Sequence, residues 1–204
     1  MNGILKKTAA FASVASAFAI MATGVFAQPA GGFKAQPFEF DPGNSGIVSS
    51  AWVTHQGMPD TGNADHALYL TKNGLTSVVA ASGATIDGEE GINLTEIGWD
   101  VRDDGHCGAG APRFNVTTSD GVLHFIGCNS PAPTSDVAVV DDEGRSWHRK
   151  RYDPATAFPP IAPTDTVSSI SIVFDEGTDQ GEGFVYLDNI DINGKLIGKP
   201  GVSK

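Results

Sequence analysis

The sequence predicts an all-β antiparallel sandwich, and three observations carry that expectation. Glycine and proline are frequent, 25 and 12 of 204 residues, and they punctuate short runs of alternating apolar and polar residues with little helical periodicity. About ten such runs follow one another with turn signals between them, without the strand–helix alternation that a parallel sheet requires. Two cysteines, Cys107 and Cys128, bracket the middle of a chain whose first residues look like an export signal.

Lys6 and Lys7 precede an uncharged alanine-rich run that ends in Val25-Phe26-Ala27, the layout of a cleaved signal peptide. No cysteine stands directly after that point to carry a lipid, and no later apolar run has transmembrane length. The expected organisation is a signal over 1–27, a flexible lead-in over 28–37, a single β-sandwich domain over 38–197 and a tail over 198–204. The mature chain is expected to be secreted or periplasmic, with no membrane insertion after signal cleavage. The formal net charge is −11. Removing a signal that holds two lysines and no acid makes the remainder more acidic still, which disfavours nucleic acid and anionic lipid as partners.

Taken in order, Phe38–Asp41 reads as a short strand closed by Pro42-Gly43-Asn44, and Ile47–Thr54 as a strand containing Trp52. His66–Lys72 alternates up to the turn signal Asn73-Gly74. Leu75–Ala81 and Ala84–Ile86 follow as short strands. Thr95–Val101 puts Ile97, Trp99 and Val101 on one face. Asp120-Gly121 between two alternating runs predicts a two-residue hairpin turn. In that register Val116 faces Phe125, and one face carries Phe114, Val116, Leu123 and Phe125. Arg113, Asn115, Thr117 and His124 share the other. Cys128 then ends the hairpin opposite Arg113, where the Gly108-Ala109-Gly110 joint can bring Cys107 to it. A bridge closing a loop of this size contributes about 3 kcal/mol. Free buried thiols are the alternative, and zinc needs more ligands than one cysteine pair offers. Val137–Val140 and Arg145–Tyr152 are two further strands, followed by an irregular crossing with four prolines over 153–165. Val167–Phe174 and Gly183–Asn193 then form two strands around a solvated acidic turn.

The order of these features resembles the jelly-roll sandwiches of carbohydrate-binding modules and their galactose-binding-like relatives. The likeness rests on His66-Ala-Leu-Tyr-Leu, on Trp147 followed by a polar strand and a proline-rich loop, and on Phe184-Val-Tyr-Leu-Asp-Asn-Ile-Asp-Ile-Asn-Gly. It covers roughly residues 38–197 and implies a jelly-roll-like fold more than a function.

Asp188 shares strand phase with Phe184, Tyr186, Ile190 and Ile192, so a regular strand turns its carboxylate inward, where it needs a cation, an arginine or backbone donors. Structural calcium is one answer, with Glu39 and Asp41 as candidate co-ligands, and the resembled sandwiches often hold such an ion near their last strand. A loop hydrogen bond or a bulge is the other. Trp147 with Arg145 and Arg149 on one strand face suits a sugar ring or a uronate, unless Trp147 is core and the charges balance Asp141–Glu143. Asp100, Arg102, Arg113, Asn115 and His124 form a second candidate surface if their strands are neighbours. No histidine spacing, carboxylate pair or nucleophile motif singles out a catalytic centre. The expected function is therefore a secreted, non-catalytic module that binds carbohydrate or another extracellular polymer. A structural or adhesive protein making protein contacts is the alternative, and an undetected hydrolase a third.

Overall fold

The computed structural model describes residues 32–62 and 64–200. The signal segment, the start of the lead-in at 28–31 and the end of the tail at 201–204 lie outside the described residues. Twelve strands fill the described chain: β1 (Lys34–Phe40), β2 (Val48–Val53), β3 (Ala67–Lys72), β4 (Ala81–Asp87), β5 (Ile97–Arg102), β6 (Arg113–Thr118), β7 (Leu123–Gly127), β8 (Ser135–Val140), β9 (Ser146–Tyr152), β10 (Val167–Phe174), β11 (Phe184–Ile192) and β12 (Lys195–Ile197). They form a five-stranded sheet ordered β1-β4-β10-β6-β7 and a seven-stranded sheet ordered β2-β3-β11-β5-β9-β8, with β12 on β11. Every pairing is antiparallel. This is the jelly-roll-like sandwich that the sequence predicts. β1 starts at Lys34, inside the segment expected to be a flexible lead-in, because Lys34–Pro37 pair with β4.

Alternation decides which residues meet between the layers. Leu68 and Leu70 of β3, Ile97, Trp99 and Val101 of β5, Val185 and Leu187 of β11 face Phe114, Val116 and Ile126 of β6–β7 and Ile170, Ile172 and Phe174 of β10. Trp99 stacks on Phe114 at 4.1 Å between ring centroids, joining β5 to β6 across the layers. Burial of side chains this large supplies the main driving force for the fold.

The central hairpin forms in a register one residue away from the expected one. Phe114 pairs with Ile126 and Val116 with His124. Gly121 N–H donates to Thr118 O at 2.9 Å and Thr118 N–H to Val122 O at 3.0 Å, so the loop is Ser119-Asp120-Gly121, with Gly121 in the left-handed region at φ +83°. This is the three-residue connection built from a turn and a glycine bulge. The Asp120 carboxylate fixes it by accepting from Thr118 Oγ1 at 2.6 Å and from the Val122 N–H at 3.2 Å. A one-residue slip turns every side chain of β7 to the other face. His124 and Ile126 are buried, while Leu123 is 41% exposed and Phe125 half-buried. Arg113 accordingly pairs with Gly127 rather than Cys128. Cys107 and Cys128 are disulfide-bonded.

Two further expectations change. Leu75–Ala80 is a loop rather than a strand, because it wraps the Lys72 ammonium, which donates to Thr76 O at 3.0 Å, Val78 O at 2.8 Å and Asp175 O at 2.8 Å. Lys72 lies on the core side of β3, and these carbonyls replace the water it loses. The acidic segment 175–183 is a crossing between sheets, not a hairpin turn, since β10 and β11 belong to different layers.

Candidate functional site

The outer face of the seven-stranded sheet carries an aromatic cluster. With Leu68 and Leu70 inward, Tyr69 points outward. With Val185 and Leu187 inward, so do Phe184 and Tyr186. The β3–β11 register sets Tyr186 beside Tyr69 and Phe184 beside Thr71. Tyr69 lies 4.7 Å from Tyr186 and 6.2 Å from Phe184 between ring centroids. All three are half-buried, and Tyr69 and Phe184 line a groove. Arg102 closes one end of the cluster, its guanidinium 3.5 Å from the Tyr186 centroid. Beside Tyr69 and Phe184 runs a groove of about 450 Å³ whose polar rim includes Ser49, Thr71, Asn73, Thr178 and Glu182. Glu182 is the one charged side chain of that lining.

The crossing 175–183 builds one wall and is tied down at each step. Asp175 forms a two-pronged ion pair with Arg113 at 2.6 and 2.8 Å, and Glu176 meets His106 Nε2 at 2.6 Å. Asp179 accepts from the Thr76 N–H at 2.7 Å and from its hydroxyl at 2.8 Å. These Thr76 bonds hold the exposed Asp179 carboxyl below the usual carboxylate range.

The residues expected to bind ligand are distributed differently. Trp147 is fully buried, and its indole N–H donates to Asp141 at 2.9 Å; it therefore offers no stacking face. Burial pushes the Asp141 carboxyl up, but donation from Trp147 and from the Arg145 backbone and side chain more than offsets this and leaves it below its ordinary value. Arg145 spends its donors on Asp141, Glu143, His55 O and Gln56. Arg149 pairs with Asp100 at 3.1 and 3.0 Å, bonds that raise its own affinity for the proton. Asp100 also accepts from Asn189 at 2.8 Å and is fully buried. Arg102 binds Asp104 and Gln56.

Arg113, Asn115 and His124 belong to the five-stranded sheet, so the second expected surface is split between layers. Arg113 Nε donates to Asn115 at 3.0 Å. His124 is buried on the core face, its Nδ1 donating to Pro159 O at 2.7 Å and its Nε2 3.0 Å from Thr118 Oγ1.

The proposed calcium ligands do not converge. Asp188 follows the inward Leu187 and points outward with Tyr186, and the β5–β11 register shift between Asp188 and Asp191, with Asn189 at φ +44°, is the bulge that then turns Ile190 and Ile192 to the core. Asp188 accepts from the Met58 N–H at 2.7 Å, beneath the 55–58 segment. Gly57 is obligatory there, since a Cβ would lie 1.8 Å from His66 O. Glu39 and Asp41 sit on and beyond β1 of the other sheet. Glu39 accepts from the Ser50 N–H, and Asp41 from the Ser45 and Gly46 N–H groups. Among the described residues no group of three or more His, Cys, Asp or Glu side chains could hold a metal ion.

Phe184 and Tyr186 escape a sequence reading for one reason. Extending a single phase through β11 places Phe184 and Tyr186 with Ile190 and Ile192, whereas the bulge at Asp188–Asn189 separates the two pairs onto opposite faces. Tyr69 was legible, standing between two leucines that enter the core.

No family model and no curated protein matches the chain. Among solved structures it is similar to a family 11 carbohydrate-binding module from Clostridium thermocellum, determined in complex with a β-1,3-1,4-mixed-linked tetrasaccharide. That likeness has a TM-score of 0.45 at 13% identity and covers 82% of this chain and 99% of that one. No helix among the described residues is long and apolar enough to cross a membrane.

Proposed function

We propose that the protein is an exported, non-catalytic module that binds a neutral polysaccharide in the groove beside Tyr69 and Phe184. The observation that carries this is the open aromatic pair on the outer face of a rigid sheet, rimmed by hydroxyl and amide groups. Apolar ring faces stack on the C–H surface of a pyranose, and the rim groups exchange hydrogen bonds with its hydroxyls. A neutral sugar suits the groove better than a uronate: Glu182 is the charge in its lining, and the chain carries a net charge of −11, so a polyanion is repelled. The arginines that could answer a uronate are already engaged by Asp100, Asp104, Asp141 and Asp175.

Affinity electrophoresis and calorimetry against neutral glucans, mannans and xylans, with polygalacturonate as the anionic control, test the proposal. Binding to a neutral polymer that weakens at least about tenfold in Tyr69→Ala and Phe184→Ala, with folding intact, supports it. Binding only to the polyuronate, or unchanged in both variants, refutes it.

A further inference from the structure

The strand orders of the two sheets end in four strands, and three of these are protected. β1 carries Lys34, Pro37 and Glu39. β2 is tied to β1: Glu39 accepts from the Ser50 N–H at 3.1 Å, and Trp52 Nε1 donates to Ala35 O at 2.9 Å. β7 is closed by Phe158, which exchanges backbone bonds of 2.8 and 3.0 Å with Phe125. The fourth, β8, pairs with β9 on one side and with no described strand on the other. It has no proline, no lysine and no shift in its pairing over Ser135–Val140. Val137 is 49% and Val140 62% exposed. Its one charge, Asp136, is turned back onto His148 and onto Lys150 at 2.7 Å. Such an edge is a template for another strand.

We infer that β8 pairs with β8 of a second copy of this chain, antiparallel about a two-fold axis through Ala138, joining two seven-stranded sheets into one. The Asp141 N–H donates to Arg145 O, and alternation along the ladder then aims the backbone groups of Val137 and Val139 at β9 and those of Asp136, Ala138 and Val140 at the open side. Pairing about Ala138 sets Ala138 against its own copy, Asp136 against Val140 and Val137 against Val139. No like charges face each other, and the smallest side chain of the strand sits on the axis. The two grooves then act on one polymer with the gain of bivalency, although the pairing itself does not depend on what the grooves bind.

Sedimentation velocity over a wide concentration range tests the pairing on the full chain. The expected result is a reversible dimer. Ala138→Pro removes an N–H that makes no bond within the protomer, and Val140→Asp sets a second carboxylate directly against Asp136 of the other copy. Each is expected to weaken dimerisation at least about tenfold, with thermal unfolding confirming that the variants fold. Ala138→Cys, on the axis, is expected to cross-link to its copy under mild oxidation far faster than Val140→Cys, which faces Asp136. A monomer at every concentration overturns the inference, including one that captures an added extended peptide on β8. So does a dimer indifferent to both edge substitutions, or equal cross-linking at the two cysteine positions.

Discussion

Truncating Ile126 and Leu123 separately to alanine measures the register of the central hairpin. A two-residue turn would send Leu123 inward and Ile126 outward; the three-residue loop does the reverse. Ile126 has no exposed surface and packs in the core, whereas Leu123 is 41% exposed. Removing three buried carbons at Ile126 loses their transfer free energy and leaves a cavity between two layers that cannot close on it, a cost of about 2–5 kcal/mol. Leu123 loses contacts on the wetted face only, a cost of roughly 1 kcal/mol or less. A domain of this size moves by about 2–4 °C per kcal/mol, so Ile126→Ala should lower Tm by roughly 4–20 °C and Leu123→Ala by about 4 °C or less. Urea denaturation with unchanged m-values establishes that both report the same transition. Equal losses, or the larger loss at Leu123, would refute the three-residue loop and the buried placement of His124 that follows from it.

Four other outcomes are expected. Replacing Cys107 and Cys128 by alanine frees a loop of sequence separation 21 and should cost about 3 kcal/mol by chain entropy; calorimetry showing no change would mean that the neighbouring contacts already hold that loop. Trp147→Ala should unfold or strongly destabilise the protein, by about 3–5 kcal/mol, so a well-folded Trp147→Ala protein with selectively lost glycan binding would contradict its burial.

The pH profile has two parts. Asp41, Asp120, Asp136, Asp141 and Asp179 have folded pKa values below the ordinary 3.8, so their stabilisation is present above that value and is lost as pH falls through the depressed ones. Burial raises the pKa of Glu89 above its ordinary 4.5, so its penalty appears as pH rises past that value. Glu89→Gln should therefore raise Tm at pH 7 and not at pH 3, as read from melts at both. Finally, Gly57→Ala should destabilise the 55–58 segment over Asp188, and faster amide exchange there would register it.

The layer architecture was legible because β-period alternation survives in most strands: Ile97, Trp99 and Val101 enter the core as their spacing requires. The disulfide pairing was legible as well. What was hidden are places where one residue changes the phase. Asp120-Gly121 is compatible with loops of two or three residues, and the choice rests on bonds the turn residues make once folded, among them Thr118 Oγ1 and the Val122 N–H donating to Asp120. The bulge at Asp188–Asn189 has no signature beyond an asparagine able to take positive φ. Val78-Val79 looks like strand, yet the Lys72 ammonium claims the carbonyls around it. Trp147 is on an outward strand face, but Arg102 lies 5.8 Å from its ring centroid and Asp141 holds its N–H, so alternation alone could not tell that it is covered.

The segment 175–183 forms the groove wall and also fastens the two layers to each other through Lys72, Arg113 and Thr76. The groove therefore cannot gape without loosening the whole domain. A sugar chain bound there, as proposed, would meet a surface whose shape is already set, so little ordering entropy would be spent on the protein side. Occupancy should in turn protect amides on both sheets from exchange, well away from the point of contact.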